Sequence, residues 1–241
     1  ALGARKNAAA VLTSAVRDAS NGDDFVRTVR ERYELEARTI PGDEEAQLTF
    51  RGATSQRDAD DGASILVIDV GGGSTELVVG SGARAEFHVS TQAGVVRQTE
   101  RHLHSDPPTS TELDALARDA RRTIEEGVPE GVRSSAEKAI AVAGTATSIA
   151  AIAQELEPYD PARAHGYVLE LAECETLLER LGALPLEARR RVPGLHPDRA
   201  PTIVAGAVIL IAALRCFGLY HAEVSERDIL HGVALKIAQT A

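Results

Sequence analysis

No methionine occurs anywhere in the 241 residues, position 1 included. A complete reading frame starts with methionine. Either residues precede Ala1 in the gene, or methionines are missing from the sequence as written and spacings across such a gap are off by one. Cysteine is scarce as well: Cys174 and Cys216 are too few and too far apart for a disulfide framework or a zinc site. A reducing, cytoplasmic setting is the natural reading. No apolar run approaches the roughly 20 residues that span a bilayer. The longest, residues 203–214, is broken by Gly206 and reads as a buried helix. Residues 5–7 are polar, unlike a signal peptide. An excess of positive charge is also lacking: 36 acids against 26 bases leave a net charge of −10. That argues against broad binding to nucleic acid. A polyanionic substrate then needs local basic groups or a metal ion to offset the repulsion.

What is present suffices for a core. Hydrophobic residues make up 44%, as in ordinary globular proteins, and the length suits one or two domains. The first stretch reads helix, strand, helix, strand, helix. Residues 8–15 are apolar and end at Arg17-Asp18; Asn21 then caps a helix with Phe25, Val26 and Val29 at helical spacing. Residues 35–40 alternate as a strand, Pro41-Gly42 turns the chain, and Asp43 starts a helix carrying Glu44, Glu45, Leu48 and Phe50. Residues 55–63, small and charged, read as a linker between a first unit, 1–63, and a second, 64–241. The second opens with a continuous apolar strand, 65–68, of the fully buried kind. Residues 76–79 form another strand, and Gly80-Ser-Gly82 turns a hairpin back along 83–89. A helix capped by Thr109 or Ser110, a buried strand over 139–143, a helix to about Leu156 and two or three helices over 172–217 follow. A last strand, 222–225, and a last helix, 228–239, complete the reading.

The run Asp69-Val-Gly-Gly-Gly-Ser-Thr-Glu76 carries the most chemistry. Gly71, Gly72 and Gly73 let backbone N–H groups converge on an anion with no Cβ in the way. Ser74 can donate to a phosphate oxygen, and Asp69 can hold Mg²⁺ directly or through water. The hairpin between Asp69 and Glu76 lets both acids face one cleft. A plain glycine-rich turn is the bland alternative, but it seldom needs three glycines and two flanking acids. Gly144-Thr145-Ala-Thr147 also follows a buried strand and opens a helix, whose N–H groups and dipole suit phosphate. Thr145 reads equally as an ordinary N-cap. Glu44-Glu45, in a first helical turn, reads by itself as a solvated pair. Arg17 is either a phosphate partner or an ion-pair partner of Asp18 or Asp23. His102 and His104 do not share a helix face and read as surface groups or a minor substrate contact. Arg189-Arg190-Arg191 reads as a solvated helix face.

Together these residues resemble the Ppx/GppA phosphatase family, the exopolyphosphatases and guanosine pentaphosphate phosphohydrolases of the actin/Hsp70/sugar-kinase superfamily. The resemblance runs through Thr13-Ser-Ala-Val-Arg-Asp-Ala19, Pro41-Gly-Asp-Glu-Glu-Ala46, Val67-Ile-Asp-Val-Gly-Gly-Gly-Ser-Thr-Glu-Leu77 and Gly94-Val-Val-Arg-Gln-Thr-Glu100. It continues through Ala143-Gly-Thr-Ala-Thr147, Ile203-Val-Ala-Gly-Ala207 and Ser225-Glu-Arg-Asp-Ile-Leu-His-Gly232. It implies an α/β fold of two ribonuclease-H-like, actin-like ATPase lobes flanking a cleft. The first lobe is N-terminally incomplete, because the family's earlier phosphate loop has no counterpart here. Pro201 stands where the family usually carries an acid.

The resemblance also implies roles. Glu45 is the base that orients or deprotonates the attacking water. Asp69 and Glu76 hold Mg²⁺ (or Mn²⁺), Glu76 being catalytic as well. Arg17, Gly71, Gly72, Gly73, Ser74, Gly144 and Thr145 bind phosphate. The implied activity is metal-assisted removal of terminal phosphate from inorganic polyphosphate. Hydrolysis of guanosine pentaphosphate, or non-catalytic sensing of polyphosphate or guanosine tetraphosphate, are the alternatives. Neither nucleic acid nor membrane is an implied partner, and a homodimer stays open. Arg97, Arg101 and the arginines near Arg190 hint at a basic channel.

Overall fold

Backbone pairing, rather than side-chain spacing, decides the first stretch. The computed structural model describes residues 8–57 and 62–240; the polar residues 5–7 and residues 58–61 of the expected linker lie outside them. β1 (Ala9–Leu12), the one-turn α1 (Ser14–Arg17), α2 (Gly22–Tyr33) and β2 (Glu36–Thr39) form a strand–helix–strand unit. β1 and β2 pair in parallel. The helix expected over residues 8–15 is therefore a strand followed by a single helical turn. A short apolar run fits either state, and the hydrogen bonds offered by β2 select the strand. Asn21 occupies the N-cap of α2 but makes no side-chain cap bond.

α3 (Gly42–Ala53) leads to the larger sheet, whose elements are β3 (Ile65–Val70), β4 (Thr75–Ser81), β5 (Arg84–Thr91), α4 (Val95–His102), α5 (Ser110–Gly127), α6 (Glu130–Arg133) and β6 (Lys138–Val142). Then come α7 (Ala143–Ala153), α8 (Pro161–Ala164), β7 (Val168–Glu170), α9 (Leu171–Gly182), α10 (Leu186–Arg189), α11 (Ile203–Cys216), β8 (His221–Ser225) and α12 (Ile229–Thr240). The strand order is β5-β4-β3-β6-β8-β7. β3, β6 and β8 run parallel, while β4, β5 and β7 are antiparallel to their neighbours. The three-residue β7 escapes the sequence reading because it is too short to show alternation.

β3 is apolar throughout because both its faces are covered, and its period of two sorts them. Leu66, Ile68 and Val70 enter the main core with α5, α7, α9 and α11. Ile65 and Val67 pack instead on Ala46, Phe50 and Ala53 of α3. α11 is buried from Ile203 to Leu214, as its uniformly apolar sequence requires. Among the described residues no helix is long and apolar enough to cross a membrane.

Two helix faces carry charge that the sequence reading placed in solvent. Arg189 is buried, donating to the carbonyls of Leu181 at 3.0 Å, Leu184 at 2.8 Å and Ala200 at 3.2 Å. It ties α9 to the segment before α11. His102 is mostly buried against Asp119 at 3.1 Å, which Arg101 and Arg122 also reach. Burial works to raise the Asp119 carboxyl, but these three donors hold it well below the usual carboxylate range. The cluster fixes α4 on α5. The N-terminus of α5 carries the expected cap as a reciprocal Thr109–Glu112 capping box.

α12 returns to lie against α3, and the two backbones touch. A Cβ on Gly232 would sit 1.9 Å from the Leu48 carbonyl oxygen, and one on Gly52 would sit 2.0 Å from that of Asp228. Gly232→Ala is expected to destabilise the protein by about 2 kcal/mol, because overpacking outweighs the gain in helix propensity of roughly 1 kcal/mol. Gly131, with nothing within 4 Å of a built Cβ, should gain about 0.5 kcal/mol as alanine. Urea denaturation of the two variants checks both signs.

Candidate active site

β3 and β4 are joined by residues 71–74, and their register sets Asp69 directly opposite Glu76. Both carboxylates therefore share one face, as expected. The turn closes through the Gly71 N–H donating to the Ser74 carbonyl at 3.0 Å. The loop's other carbonyls are taken by α4. Val95 and Val96 N–H groups donate to Gly71 and Gly72 at 2.9 Å, and Arg97 Nε to Gly73 at 3.2 Å. The N–H groups of Gly72 and Gly73, without partners among the described residues, are what the loop offers an anion.

β6 runs parallel to β3, so the turn into α7 opens at the same sheet edge. Ala143 takes φ +60 there, a left-handed conformation that costs a non-glycine residue on the order of 1 kcal/mol. Thr145 Oγ1 donates to the Val70 carbonyl at 2.9 Å and is buried. Its hydroxyl is thus a strut between the two loops. The Arg199 guanidinium lies only 2.0–2.2 Å from where a Cβ on Gly144 would sit, so a side chain at 144 would displace it. Arg199 was not singled out from the sequence, where nothing but a lone arginine marks it. It lines a cavity of about 780 Å³ with Arg190, Arg191, His196, Tyr159 and Glu226. Arg190 is half-buried at this cavity, while Arg191 lines it and stays exposed, as expected of a solvated face. Arg97 and Arg101 are engaged elsewhere, by Gly73 and Asp119.

Glu45 comes from the first turn of α3 and is 9% exposed, which overturns its reading as a solvated group. Arg17 donates to Glu45 at 3.1 Å and to the Ile40 carbonyl at 2.9 Å, with Asp18 farther off at 3.9 Å. The same small cavity, about 100 Å³, is lined by Arg17, Glu45, Glu76, His88 and Ser90. Its neighbour Glu44 turns the other way, to Arg38 and Lys236, which hold its carboxyl down at about 2. Burial pushes Glu45 up, against the pull of Arg17. Asp69 is pushed up to about 7, first by burial and then by the charges of Glu76, Asp228 and Glu45. Asp228, ahead of α12, was missed as a site residue although its segment carries the family resemblance. Among the described residues no three His, Cys, Asp or Glu side chains form a ready metal cluster.

The chain that carries this glycine loop, these opposed carboxylates and the buried Glu45 has relatives among known proteins. Residues 3–241 match the Ppx/GppA phosphatase family. The chain belongs to that family. It is 36% identical over 237 residues to Exopolyphosphatase 2 of Mycobacterium tuberculosis, covering 95% of this chain and 74% of that one. It is 31% identical over 237 residues to a bifunctional 3-dehydroquinate synthase/phosphatase of Fusobacterium nucleatum, covering 96% of this chain and 35% of that one. Among solved structures, an exopolyphosphatase-like protein aligns with TM-score 0.87 at 32% identity, over 95% of this chain and 77% of the other. A family member from Aquifex aeolicus aligns with TM-score 0.85 at 27% identity, over 96% and 74%. The expected α/β fold with actin-like lobes accords with these structures, and the enzyme class the relatives support is a phosphoanhydride hydrolase.

The crowding around Asp69 has a thermodynamic signature. Its folded-state pKa, raised above the unfolded value near 4, means that the folded chain binds the extra proton. Stability is fully present below about pH 4 and falls as pH rises through about 7, by on the order of 2–4 kcal/mol. Asp69→Asn should therefore raise the Tm of the metal-free protein at pH 8 and leave it unchanged at pH 4. Calorimetry at the two pH values checks this.

Proposed function

We propose that this chain hydrolyses the terminal phosphoanhydride of inorganic polyphosphate. The observation carrying the reading is Glu45, buried beside Arg17 in the same cavity as Glu76 and electrostatically coupled to Asp69. A general base works best with a pKa lifted toward the working pH, and burial lifts Glu45. Arg17 fixes the carboxylate and supplies positive charge at the mouth of the cavity. Gly72, Gly73 and the Gly144-Thr145 backbone grip phosphate oxygens at two strand ends of one sheet edge, where backbone dipoles meet the charge of a loose transition state.

Water attacks the terminal phosphorus, passing a proton to Glu45. The P–O bond to the penultimate phosphate breaks, and the bridging oxygen leaves with the shortened chain. Mg²⁺ or Mn²⁺ fits the donor set: two hard carboxylates, Asp69 and Glu76, whose mutual repulsion a cation relieves, with substrate oxygens and water completing the shell. Bound there, it would neutralise charge on the reacting phosphoryl group.

Guanosine pentaphosphate is the second reading. The cavity of about 780 Å³ beside Gly144 has apolar walls at Leu156, Val192 and Leu195 as well as its basic groups, with volume for a nucleoside. The two free thiols, Cys174 buried and Cys216 half-buried, suit the cytoplasmic setting this reading assumes.

Phosphate release from polyphosphate, guanosine pentaphosphate and ATP should be measured with Mg²⁺ and with chelator. Polyphosphate should be the fastest substrate and chelator should stop turnover. Glu45→Gln and Glu76→Gln should each lower kcat at least about 100-fold with Tm preserved. Full activity in either variant removes its assigned role, and tight binding without turnover would favour a sensor.

A further inference from the structure

Glu76 is held by two hydroxyls, and both reach the same oxygen. Ser74 Oγ donates to Glu76 Oε1 at 2.6 Å, and Ser90 Oγ donates to it at 2.8 Å. Ser74 lies in the glycine loop. Ser90 lies on β5, in direct register with Glu76. That register depends on a bulge between Val79 and Gly80 that shifts the β4–β5 pairing by one residue. Without it, Val89 would face Glu76. Gly80 is required at the bulge, since a Cβ there would lie 2.1 Å from the Arg84 carbonyl oxygen.

We infer that Ser90 is a positioning residue that keeps Glu76 oriented when Ser74 turns to the substrate. A hydroxyl has one proton to give. Ser74 cannot donate to Glu76 and to a phosphate oxygen at once, and it stands in the loop whose free N–H groups invite the phosphate. When an anion enters, the Ser74 hydroxyl turns from Glu76 Oε1 and donates to a phosphate oxygen instead. Ser90, outside the loop and fixed by strand pairing, stays on Oε1. Glu76 then keeps its place in the lining of the cavity shared with Glu45 and Arg17. The two serines thus divide their effects: Ser74 is felt in binding, Ser90 in turnover.

This inference rests on the hydrolase reading for its kinetic half, and its structural half stands alone. In the full chain with polyphosphate as substrate, Ser90→Ala should lower kcat about tenfold with KM unchanged, the worth of one hydrogen bond to a charged group at a partly exposed position. Ser90→Thr, which keeps the hydroxyl on a strand, should restore kcat. Ser74→Ala should raise KM about tenfold with a smaller effect on kcat. Crystals of Ser90→Ala soaked with phosphate should show Glu76 in more than one rotamer, while crystals grown without it keep the single rotamer that Ser74 holds, at a Tm equal to the parent's. An unchanged kcat, or a kcat that falls equally in Ser90→Thr, overturns the inference; so does a single undisturbed Glu76 rotamer with phosphate bound. A parent chain that releases no phosphate would defeat the hydrolase reading, and the crystallographic comparison would still decide the role of Ser90.

Discussion

Two carboxylates placed directly opposite each other on neighbouring strands are the constraint to which the rest of the site responds. Like charges in a cross-strand pair repel, and burial makes that repulsion stronger. The β3–β4 register nevertheless sets Asp69 against Glu76. The surroundings divide the burden. Asp69 lies deep at the strand end and takes up a proton readily, while Glu76 receives two serine hydroxyls. Negative charge is thus concentrated beside backbone N–H groups, an arrangement compatible with the proposed cation and phosphate.

The third carboxylate arrives from a different part of the chain. α3 belongs by sequence to the first stretch, yet its Ala46, Phe50 and Ala53 pack on Ile65 and Val67 of the large sheet. That apolar contact carries Glu45 to the edge where the two loops open. α12 clamps α3 from its other side through the Gly52 and Gly232 contacts, and the same segment brings Asp228 within electrostatic reach of Asp69. Packing at the helix crossing therefore sets how Glu45 stands relative to Asp69 and Glu76, and small residues there are part of the site's geometry.

Positive charge is scarce in a chain of net charge −10, and its placement is selective. Arg17 faces Glu45, Arg199 covers Gly144, and Arg190 and Arg191 line the adjoining cavity. Arg97, Arg101 and Arg189 are used to tie backbone and helices together. An arginine count along the sequence does not separate these groups, because identical side chains either line a cavity or act as internal struts according to which carbonyls and acids surround them.

The glycine loop, its flanking acids, the buried strands β3 and β6, the apolar α11 and the Thr109 cap were legible in the sequence. Each depends on neighbours close along the chain: turn chemistry, an unbroken apolar run, or a cap and its first helical turn. The first strand, the short β7, the burial of Glu45 and Arg189, and the convergence of Ser90, Arg199 and Asp228 were not. A strand at residues 9–12 exists because β2 offers it hydrogen bonds, and Ser90 meets Glu76 because a bulge shifts the register by one. The sequence by itself determined the make-up of the glycine loop, whose glycines and acids sit within eight residues. Only the tertiary structure decided which distant groups complete it, since register and helix packing are properties of pairs of segments, set by contacts that no single stretch contains.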